Sequence, residues 1–424
     1  MDIGAELYGL IDRLYPFHRS ITGDGVRQTL KVLQEFVPLQ INEVSSGTEV
    51  FDWVVPDEWN VREAYIANSD GERVVDFDDS NLHLVHYSVP VHRTMGLAEL
   101  GKHLYTLPDH PDWIPYRTSY HDKSWGFCMS HNQYLGLRNE EYEVVVDSSL
   151  QPGSLTYGEY CIKGESPDEV LVSTHVCHPS LCNDNLSGIA VSTLLARQLT
   201  KQKPRYSYRF LFVPGTIGSI TWLALNKDRI QNIKHGLVLG LLGDSGKFNY
   251  KKSRRGNTEM DRLVCRHLYE NNIDHGIIDF YPYGYDERQF CSPGIDLPVG
   301  RLTRTPHGEY PEYHTSADNL GLVAPDRLAE SYELVSAILA RLESAEKYLN
   351  LKPMCEPQLG RRGLYKKVGG ESDAKDYQMA LLWVLNLSDG SCSLEDITER
   401  SGLDKAVLET AANDLLQTDL LRKL

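Results

Sequence analysis

The stretch Ser173-Thr-His-Val-Cys-His-Pro-Ser-Leu-Cys-Asn-Asp-Asn-Leu-Ser-Gly188 decides the fold class. It follows the strand-like run Glu169-Val-Leu-Val-Ser-Thr174 and leads into an apolar, helix-like run. Its polar residues include two imidazoles and a carboxylate, those of His175, His178 and Asp184. Open α/β sheets place their chemistry at the carboxyl ends of parallel strands, and both residue types bind Zn²⁺. The stretch therefore predicts a metal site in an α/β protein.

The neighbouring segments predict a mostly parallel central sheet flanked by helices. Strand-like and helix-like runs alternate from about residue 130 to residue 350, as they do in successive βαβ units. The predicted strands are Glu141–Val146, Glu169–Ser173, Tyr208–Val213 and Gly236–Leu242, and the predicted helices are 188–199, 220–226 and 326–350.

The pattern changes at both ends of this α/β region and divides the chain into domains. The predicted domains are an α/β domain of residues 1–45 and 131–350, a β-rich insertion of 46–130, a linker of 351–370 and a winged-helix-like domain of 371–424. The insertion is predicted from short β-like runs broken by Pro, Gly and Asp. The last domain is predicted from apolar periodic runs, with a helix N-cap at Ser393 and a break at Gly402.

Composition indicates an ordinary globular protein. The 424 residues are 41% hydrophobic and 24% charged, and they include no run of about 18 apolar residues that could span a bilayer. The N-terminal residues do not have the layout of a signal peptide, so we expect a cytoplasmic location without a membrane. The eight cysteines form no CxxC pair, which favours reduced thiols over a disulfide scaffold.

The net charge argues against nucleic-acid binding. The chain has a formal charge of −16, and residues 376–424 contain nine acidic residues against four basic ones. Phosphate binding depends on Lys and Arg, so the C-terminal domain is expected to serve packing or homo-oligomer assembly instead of DNA recognition.

Other predicted strand ends carry polar residues that could meet the first stretch. Asp244 follows an apolar strand, and His314 lies in a loop rich in aromatic residues. The strand that ends at Val213 is followed by a turn without an ionisable group. Taken alone, Asp184 fits a helix N-cap as well as a metal ligand, and Asp244 fits a turn as well as a ligand.

The order and spacing of these segments resemble the zinc-dependent exopeptidase family that includes bacterial leucyl aminopeptidases. They are more similar to a bacterial branch with a β-rich insertion and a C-terminal winged-helix-like domain. The most specific pieces are Asn183-Asp-Asn-Leu-Ser-Gly188 and Tyr313-His-Thr-Ser-Ala-Asp318, and the resemblance covers nearly the whole chain. It implies an aminopeptidase-like fold and activity.

The resemblance also implies metal ligands. The implied set is His175, Asp184 as the bridging aspartate, Asp244 and His314, with His178 as the alternative to His175.

Two departures from the family pattern change what these ligands can hold. Cys177 stands where the family has an aspartate that orients its first histidine, and Gly215 and Thr216 stand where it has two glutamates. Neither position offers a general base or a further carboxylate ligand. We therefore expect one Zn²⁺ instead of two.

Candidates for catalysis and substrate binding come from two predicted loops. Glu312 is the first candidate general base because it is close in sequence to His314, and Glu309, Asp286 and Glu287 are the alternatives. The residues expected to bind substrate are Tyr285, Arg288 and Tyr313. The segment Phe17–Gly23 also resembles that bacterial branch, and we assign it a helix-end packing role.

Two hypotheses follow for function. The first is a metal-dependent hydrolase that cleaves a peptide or amide bond in a small substrate, with Zn²⁺ polarising the carbonyl. The second is an exopeptidase fold that has lost catalysis and serves as a binding or scaffold protein, because carboxylates are missing at Gly215 and Thr216.

Overall fold

A computed structural model describes residues 2–120, 122–364 and 372–424 of the chain. The helices are α1 (Ile3–Leu14), α2 (Asp24–Leu33), α3 (Leu97–Leu100), α4 (His131–Leu135), α5 (Gly188–Leu199), α6 (Ile217–Leu225), α7 (Glu259–Glu270), α8 (Glu287–Phe290), α9 (Pro325–Ser344), α10 (Ser372–Leu387), α11 (Leu394–Ser401) and α12 (Lys405–Gln417). The strands are β1 (Gln40–Ser45), β2 (Glu49–Val50), β3 (Trp53–Val54), β4 (Glu58–Ala67), β5 (Arg73–Asp76), β6 (Val91–Gly96), β7 (Leu104–Tyr105), β8 (Phe127–Cys128), β9 (Glu141–Gln151), β10 (Ser154–Ile162), β11 (Glu169–His175), β12 (Ser207–Val213), β13 (Ile233–Leu239), β14 (Phe248–Lys251), β15 (His275–Ile278), β16 (Val299–Thr303), β17 (Lys347–Asn350), β18 (Asp389–Ser393) and β19 (Leu421–Lys423).

The described residues divide into two compact units. The first comprises Met1–Asp261 and His267–Ser336, and the second comprises Arg262–Arg266 and Ala337–Leu424. The stretch that predicts the metal site lies in the first unit, and the three predicted winged-helix helices lie in the second.

An eight-stranded sheet forms the centre of the first unit, with the order β1-β10-β12-β11-β13-β16-β14-β15. Its middle strand β11 is parallel to both β12 and β13, and β13 is parallel to β16. Every residue of β11 and β12 is buried, as expected of strands covered on both faces. The predicted mixed α/β fold with a mostly parallel central sheet is confirmed, and β11 ends at His175.

A second, antiparallel sheet of the first unit has the order β5-β4-β9-β6. It corrects the assignment of Glu141–Val146, which the sequence analysis placed in the central α/β region. In the structure these residues belong to β9, which pairs with β4 and β6. The reason is visible in burial, because β9 alternates buried with partly buried residues, the period-two pattern of a sheet with two different faces.

The N-terminal residues form the predicted pair of helices with an irregular segment between them. The apolar side chains of α1 at Leu7, Leu10, Ile11 and Leu14 are all buried. Helix α2 begins after Gly23, whose φ of 96° suits glycine and whose Cα faces the carbonyl oxygen of Trp59 too closely for a side chain. The irregular segment includes the Phe17–Gly23 motif.

The second unit has the winged-helix architecture that the sequence predicts. Helices α10, α11 and α12 pack on a three-stranded sheet with the order β18-β17-β19. Ser393 caps α11 through a reciprocal pair of hydrogen bonds with Asp396, and Gly402 ends this helix with a φ of 69°. Residues 365–370 of the predicted linker lie outside the described residues, whereas Leu359 and Leu364 are buried in the core of this unit.

Within the described ranges, none of the helices combines the length and the apolar character needed to cross a membrane.

Candidate metal centre

Three imidazoles surround the carboxylate of Asp184, which is fully buried. His175, the last residue of β11, places its Nε2 2.7 Å from Asp184 Oδ1, and His178 Nδ1 lies 3.4 Å from the same oxygen. His314 approaches from the other side, with its Nε2 3.1 Å from Asp184 Oδ2. The structure therefore brings together three of the four predicted ligands and also the alternative ligand, His178.

The donor atoms of this group suit a metal ion. One atom each of His175, His178 and Asp184 lie within 4.8 Å of one another. Nδ1 of His178 is buried and has no hydrogen-bond partner among the described residues. A buried ring nitrogen that faces a carboxylate oxygen at 3.4 Å without a hydrogen bond fits a cation between the two atoms, and imidazole with carboxylate is a ligand set that Zn²⁺ accepts.

Electrostatics keep His175 and Asp184 in the protonation states that a metal requires. Burial lowers the pKa of His175 to about 4, against the opposing effect of Asp184, so its imidazole is neutral near pH 7. Burial alone would raise the pKa of Asp184, but His178, His175 and His314 together hold it well below its usual value. The site therefore offers the neutral imidazole of His175 and an ionised carboxylate.

The fourth predicted ligand, Asp244, lies in a neighbouring hydrogen-bond network. Its carboxylate accepts bonds from Asn183 Nδ2 at 2.8 Å, Gly246 N at 2.6 Å and Thr305 Oγ1 at 2.8 Å. Asp244 therefore contacts Asn183, the residue before Asp184. Among the described residues, the group of donor atoms that lie within 4.8 Å of one another does not include the oxygens of Asp244.

Asp318 fixes the backbone around Asp184. Its carboxylate accepts the backbone N–H groups of Asn183 at 2.6 Å and of Asp184 at 2.9 Å, and the hydroxyl of Tyr310 also donates to it. Burial raises the pKa of Asp318 to about 7. In the sequence Asp318 stands out only as the end of the Tyr313–Asp318 motif, because its partners are distant in the chain.

Tyr285 fills the space beside Gly215. Its ring lies against the ring of His175, with centroids 3.8 Å apart, and its hydroxyl is 3.3 Å from Cys177 Sγ. Cys177 Sγ also accepts the N–H of Gly215 at 3.1 Å. A Cβ added at Gly215 would overlap the Tyr285 hydroxyl, so the residue here must be glycine while Tyr285 keeps its place.

Carboxylates next to Tyr285 anchor its loop to the site. Asp286 Oδ1 accepts the N–H of Thr216 at 2.7 Å and the hydroxyl of Ser219 at 2.9 Å. Glu287 accepts the N–H of Tyr285 at 3.0 Å and pairs with Lys251, both side chains being fully buried. These two carboxylates have structural partners, and burial raises the pKa of Asp286 to about 7.

A cavity of about 520 Å³ opens beside the imidazoles. It is lined by Ile21, Asp52, Trp53, Val54, Pro56, Tyr116, Thr118, Tyr120, His178, Gly215, Thr216, Ile217, Tyr285 and His314. Within the described part of the chain, Asp52 is the carboxylate of this lining, and no Lys or Arg belongs to it. The cavity is thus mostly apolar and aromatic, with metal-ligand candidates at one end, as is typical of small-molecule sites.

Of the other predicted site residues, one belongs to the described lining of this cavity and the others do not. Tyr285 is in its lining, and the ring of Tyr313 stacks on His314 with a centroid distance of 3.9 Å. The lining formed by described residues includes neither Glu312 nor Arg288. Both side chains are half-buried.

Sequence reasoning missed two aromatic neighbours of the imidazoles. The ring of Tyr116 stands edge-on to His178 and to His314, with centroids 5.5 Å and 5.0 Å away. His307 stacks on Tyr285, and both of its ring nitrogens are buried without a hydrogen-bond partner in the described residues. No local pattern marks these residues, because Tyr116 comes from the irregular part of the insertion and His307 from a loop.

The sequence matches two described protein families. Residues 8–345 match a domain of unknown function (DUF4910), and residues 346–423 match a winged helix-turn-helix. A Clostridium acetobutylicum protein named as a polysaccharide biosynthesis protein with an aminopeptidase-like domain is 51% identical over 421 residues, which are 99% of this chain and 97% of that protein.

Solved structures share the fold. A crystal structure from Clostridium acetobutylicum, described as that of a peptidase, is 50% identical, covers 99% of this chain and 96% of its own, and gives a TM-score of 0.85. A zinc aminopeptidase from Bacillus subtilis gives a TM-score of 0.59 at 14% identity, over 80% of this chain and 95% of its own. The second likeness shows that the α/β unit has the fold of zinc aminopeptidases.

Replacement of Gly215 by Ala is expected to destabilise the protein. The new Cβ overlaps the Tyr285 hydroxyl, so the ring must leave its place against His175 at a cost of about 1–3 kcal/mol in the free energy of unfolding. Gly9→Ala is the matched control, because Gly9 lies in α1 with open space around it and the change should stabilise that helix by up to about 1 kcal/mol. Urea unfolding measures both, and an unchanged midpoint for Gly215→Ala would contradict the packing described.

The raised pKa of Asp286 predicts a pH dependence of stability. The folded-state pKa of about 7 exceeds the ordinary value of 3.8, so protonated Asp286 contributes stability that is fully present below about pH 3.8 and is lost as the pH rises through about 7. Asp286→Asn keeps an oxygen for the Thr216 and Ser219 donors but cannot ionise. The free energy of unfolding of this variant should increase relative to that of the wild type as the pH rises from about 5 to about 8.

The control for this comparison is Asp279→Asn, whose side chain is 89% exposed and whose pH profile should run parallel to that of the wild type. Urea unfolding at several pH values gives all three profiles. Parallel profiles for Asp286→Asn and the wild type would show that Asp286 titrates normally.

Proposed function

The chain belongs to the family described as a domain of unknown function (DUF4910), and we propose that it is a metal-dependent, aminopeptidase-like hydrolase of a peptide or amide bond in a small substrate. The observation that carries the proposal is the convergence of His175, His178 and His314 on the buried carboxylate of Asp184, at the end of a cavity of about 520 Å³. The zinc aminopeptidase fold of the first unit supports the same chemistry.

We propose that one Zn²⁺ would be held by His175, His178 and Asp184, with His314 on the other carboxylate oxygen. Zinc in such a site polarises a carbonyl oxygen and makes a water molecule nucleophilic near neutral pH. Asp244 is hydrogen-bonded to Asn183, the residue before Asp184. In this proposal Asp244 supports the loop of Asp184 and does not bind a second ion.

The residues of the cavity would bind and orient the substrate. Tyr285 and Tyr313 flank the imidazoles of His175 and His314, and their rings can cover an apolar part of the substrate. Since the described lining has no Lys or Arg, the proposed substrate is neutral or amine-bearing near the scissile bond and does not carry a phosphate there. Arg288 stays a proposed binding residue for a more distant part of the substrate.

Proton transfer is assigned to Glu312, which lies outside the described lining of the cavity but close in sequence to His314. We propose Glu312 as the general base because it precedes His314 by two residues and because, among the described residues, its carboxylate has no bond of the kind that engages Asp286. General-base catalysis contributes typically about 10²–10⁴-fold to the rate, so Glu312→Gln should lower turnover within this range. Unchanged turnover would remove Glu312 from the mechanism.

A second candidate function is a binding or scaffold protein that retains the metal. The observation in its favour is the absence of side-chain carboxylates at Gly215 and Thr216, which line the cavity. In this case the cavity would hold a ligand without cleaving it.

We expect purified protein to bind about one equivalent of zinc, and Asp184→Asn to weaken this binding by more than about 100-fold, because it removes the charged ligand while keeping the side-chain shape. Asp279→Asn, an exposed aspartate, is the control and should bind zinc like the wild type. Metal analysis and competition with a chromogenic chelator measure both. Wild-type protein without any zinc affinity would contradict the proposal.

The two candidate functions are separated by activity of the zinc-loaded protein. The substrate panel contains aminoacyl amides, dipeptides and N-acylated amino sugars, the last because the Clostridium acetobutylicum relative is named for polysaccharide biosynthesis. Hydrolysis that Asp184→Asn abolishes supports the hydrolase. Zinc binding and ligand binding without any hydrolysis across the panel support the scaffold.

A further inference from the structure

The segment Phe17–Gly23 contributes a buried cation to the metal centre. Arg19 lies between α1 and α2 and is 1% exposed. Its Nε donates to the carbonyl oxygen of His178 at 2.8 Å, and its Nη2 donates to that of Pro179 at 2.7 Å. Its Nη1 donates to the carbonyl oxygen of Leu14, at the end of α1, at 2.6 Å. One guanidinium thus joins the end of α1 to two successive residues of the metal-site loop.

The buried charge of Arg19 argues against a role in which the side chain only fills space. Among the described residues Arg19 forms no ion pair, and its bonds go to main-chain oxygens. Burial lowers the pKa of Arg19 to about 10, which still leaves the guanidinium charged at neutral pH. A buried charge without an opposite charge is costly, and an apolar side chain could pack a helix end without that cost.

The contacts of Arg19 act on the orientation of His178. Hydrogen bonds to the carbonyls of His178 and Pro179 fix two consecutive peptide planes, and the proline ring restricts the φ angle between them. Ser180 continues the restraint, because its hydroxyl donates to the carbonyl oxygen of Tyr15 at 2.7 Å. The hydrogen bonds of Arg19 and Ser180 therefore fix the backbone that carries the His178 imidazole to the end of the N-terminal helix.

A row of rings that begins in the same segment also reaches the His178 ring. His18 Nε2 is 3.1 Å from His86 Nε2, and the rings of His86 and Tyr116 are in edge-on contact. Tyr116 in turn stands edge-on to His178. The imidazole is held on one side through its backbone by Arg19 and on another side by a row of rings that begins at His18.

We propose that Arg19 is a positioning residue of the metal centre, which keeps the His178 imidazole directed at Asp184. The inference rests on the proposed function, because it requires that His178 is a metal ligand. It assigns the Phe17–Gly23 motif the task of setting the geometry of the site, beyond packing the end of α1. Loss of a group that orients a metal ligand typically lowers metal affinity by about 10–100-fold.

The experiment compares Arg19→Met and Arg19→Lys with Arg209→Lys in the full-length protein. Arg209 is a matched control, because it is also buried and also makes multiple bonds, to Glu169 of the neighbouring strand β11. Zinc affinity is measured by chelator competition, folding by thermal unfolding, and ligand geometry by the visible absorption spectrum of the Co²⁺-loaded protein.

We expect both Arg19 variants to bind zinc about 10–100-fold more weakly and to change the Co²⁺ spectrum. Arg209→Lys should lose thermal stability but keep the wild-type zinc affinity and spectrum. Arg19→Lys retains the charge and can reach fewer carbonyls, so it gives a result even where Arg19→Met fails to fold. Wild-type affinity and spectrum in a folded Arg19 variant would overturn the inference.

A double variant tests whether Arg19 acts through His178. If it does, Arg19→Lys should cause no further loss of zinc affinity in a His178→Ala background. A further loss of about 10-fold or more would show that Arg19 acts elsewhere and would overturn the inference while leaving the proposed function intact. Wild-type protein that binds no zinc would overturn both.

Discussion

The site depends on a buried carboxylate enclosed by imidazoles. Asp184 is fully buried, so its charge must be balanced by nearby groups. Hydrogen bonds among the described residues do not satisfy all the atoms around it, because Nδ1 of His178 has none and lies 3.4 Å from the carboxylate. A divalent cation would give this ring nitrogen a partner and would offset the buried negative charge.

This requirement explains why distant parts of the chain meet at one edge of the sheet. The parallel strand β11 ends at His175, and the loops that follow β11 and β16 bring His178 and His314 to the same carboxylate. The irregular part of the insertion adds the ring of Tyr116, and the N-terminal segment adds Arg19. Each element reaches the site through backbone or ring contacts that fix an imidazole, as outer partners of metal ligands generally do.

The sequence predicts the α/β fold well, because local patterns determine it, and it also marks the stretch from His175 to Asp184 where the structure places two imidazoles beside a carboxylate. It does not determine how His178 is oriented, since this depends on Arg19, far away in the chain. It also cannot show that Tyr285 fills the space beside Gly215, or that Asp244 bonds to its neighbours, because these contacts form only after folding. The wrong assignment of strand β9 has a related cause. Apolar content indicates that a segment is a strand, but the strands with which it pairs determine the sheet to which it belongs.

The most direct test of the account is anomalous scattering at the zinc absorption edge from crystals of protein prepared without chelators. One peak is expected beside Asp184, with the nitrogen atoms of His175 and His178 at about 2.0–2.1 Å from it. A peak bound by Asp244 in place of His178, a pair of peaks, or the absence of any peak at Asp184 would contradict it.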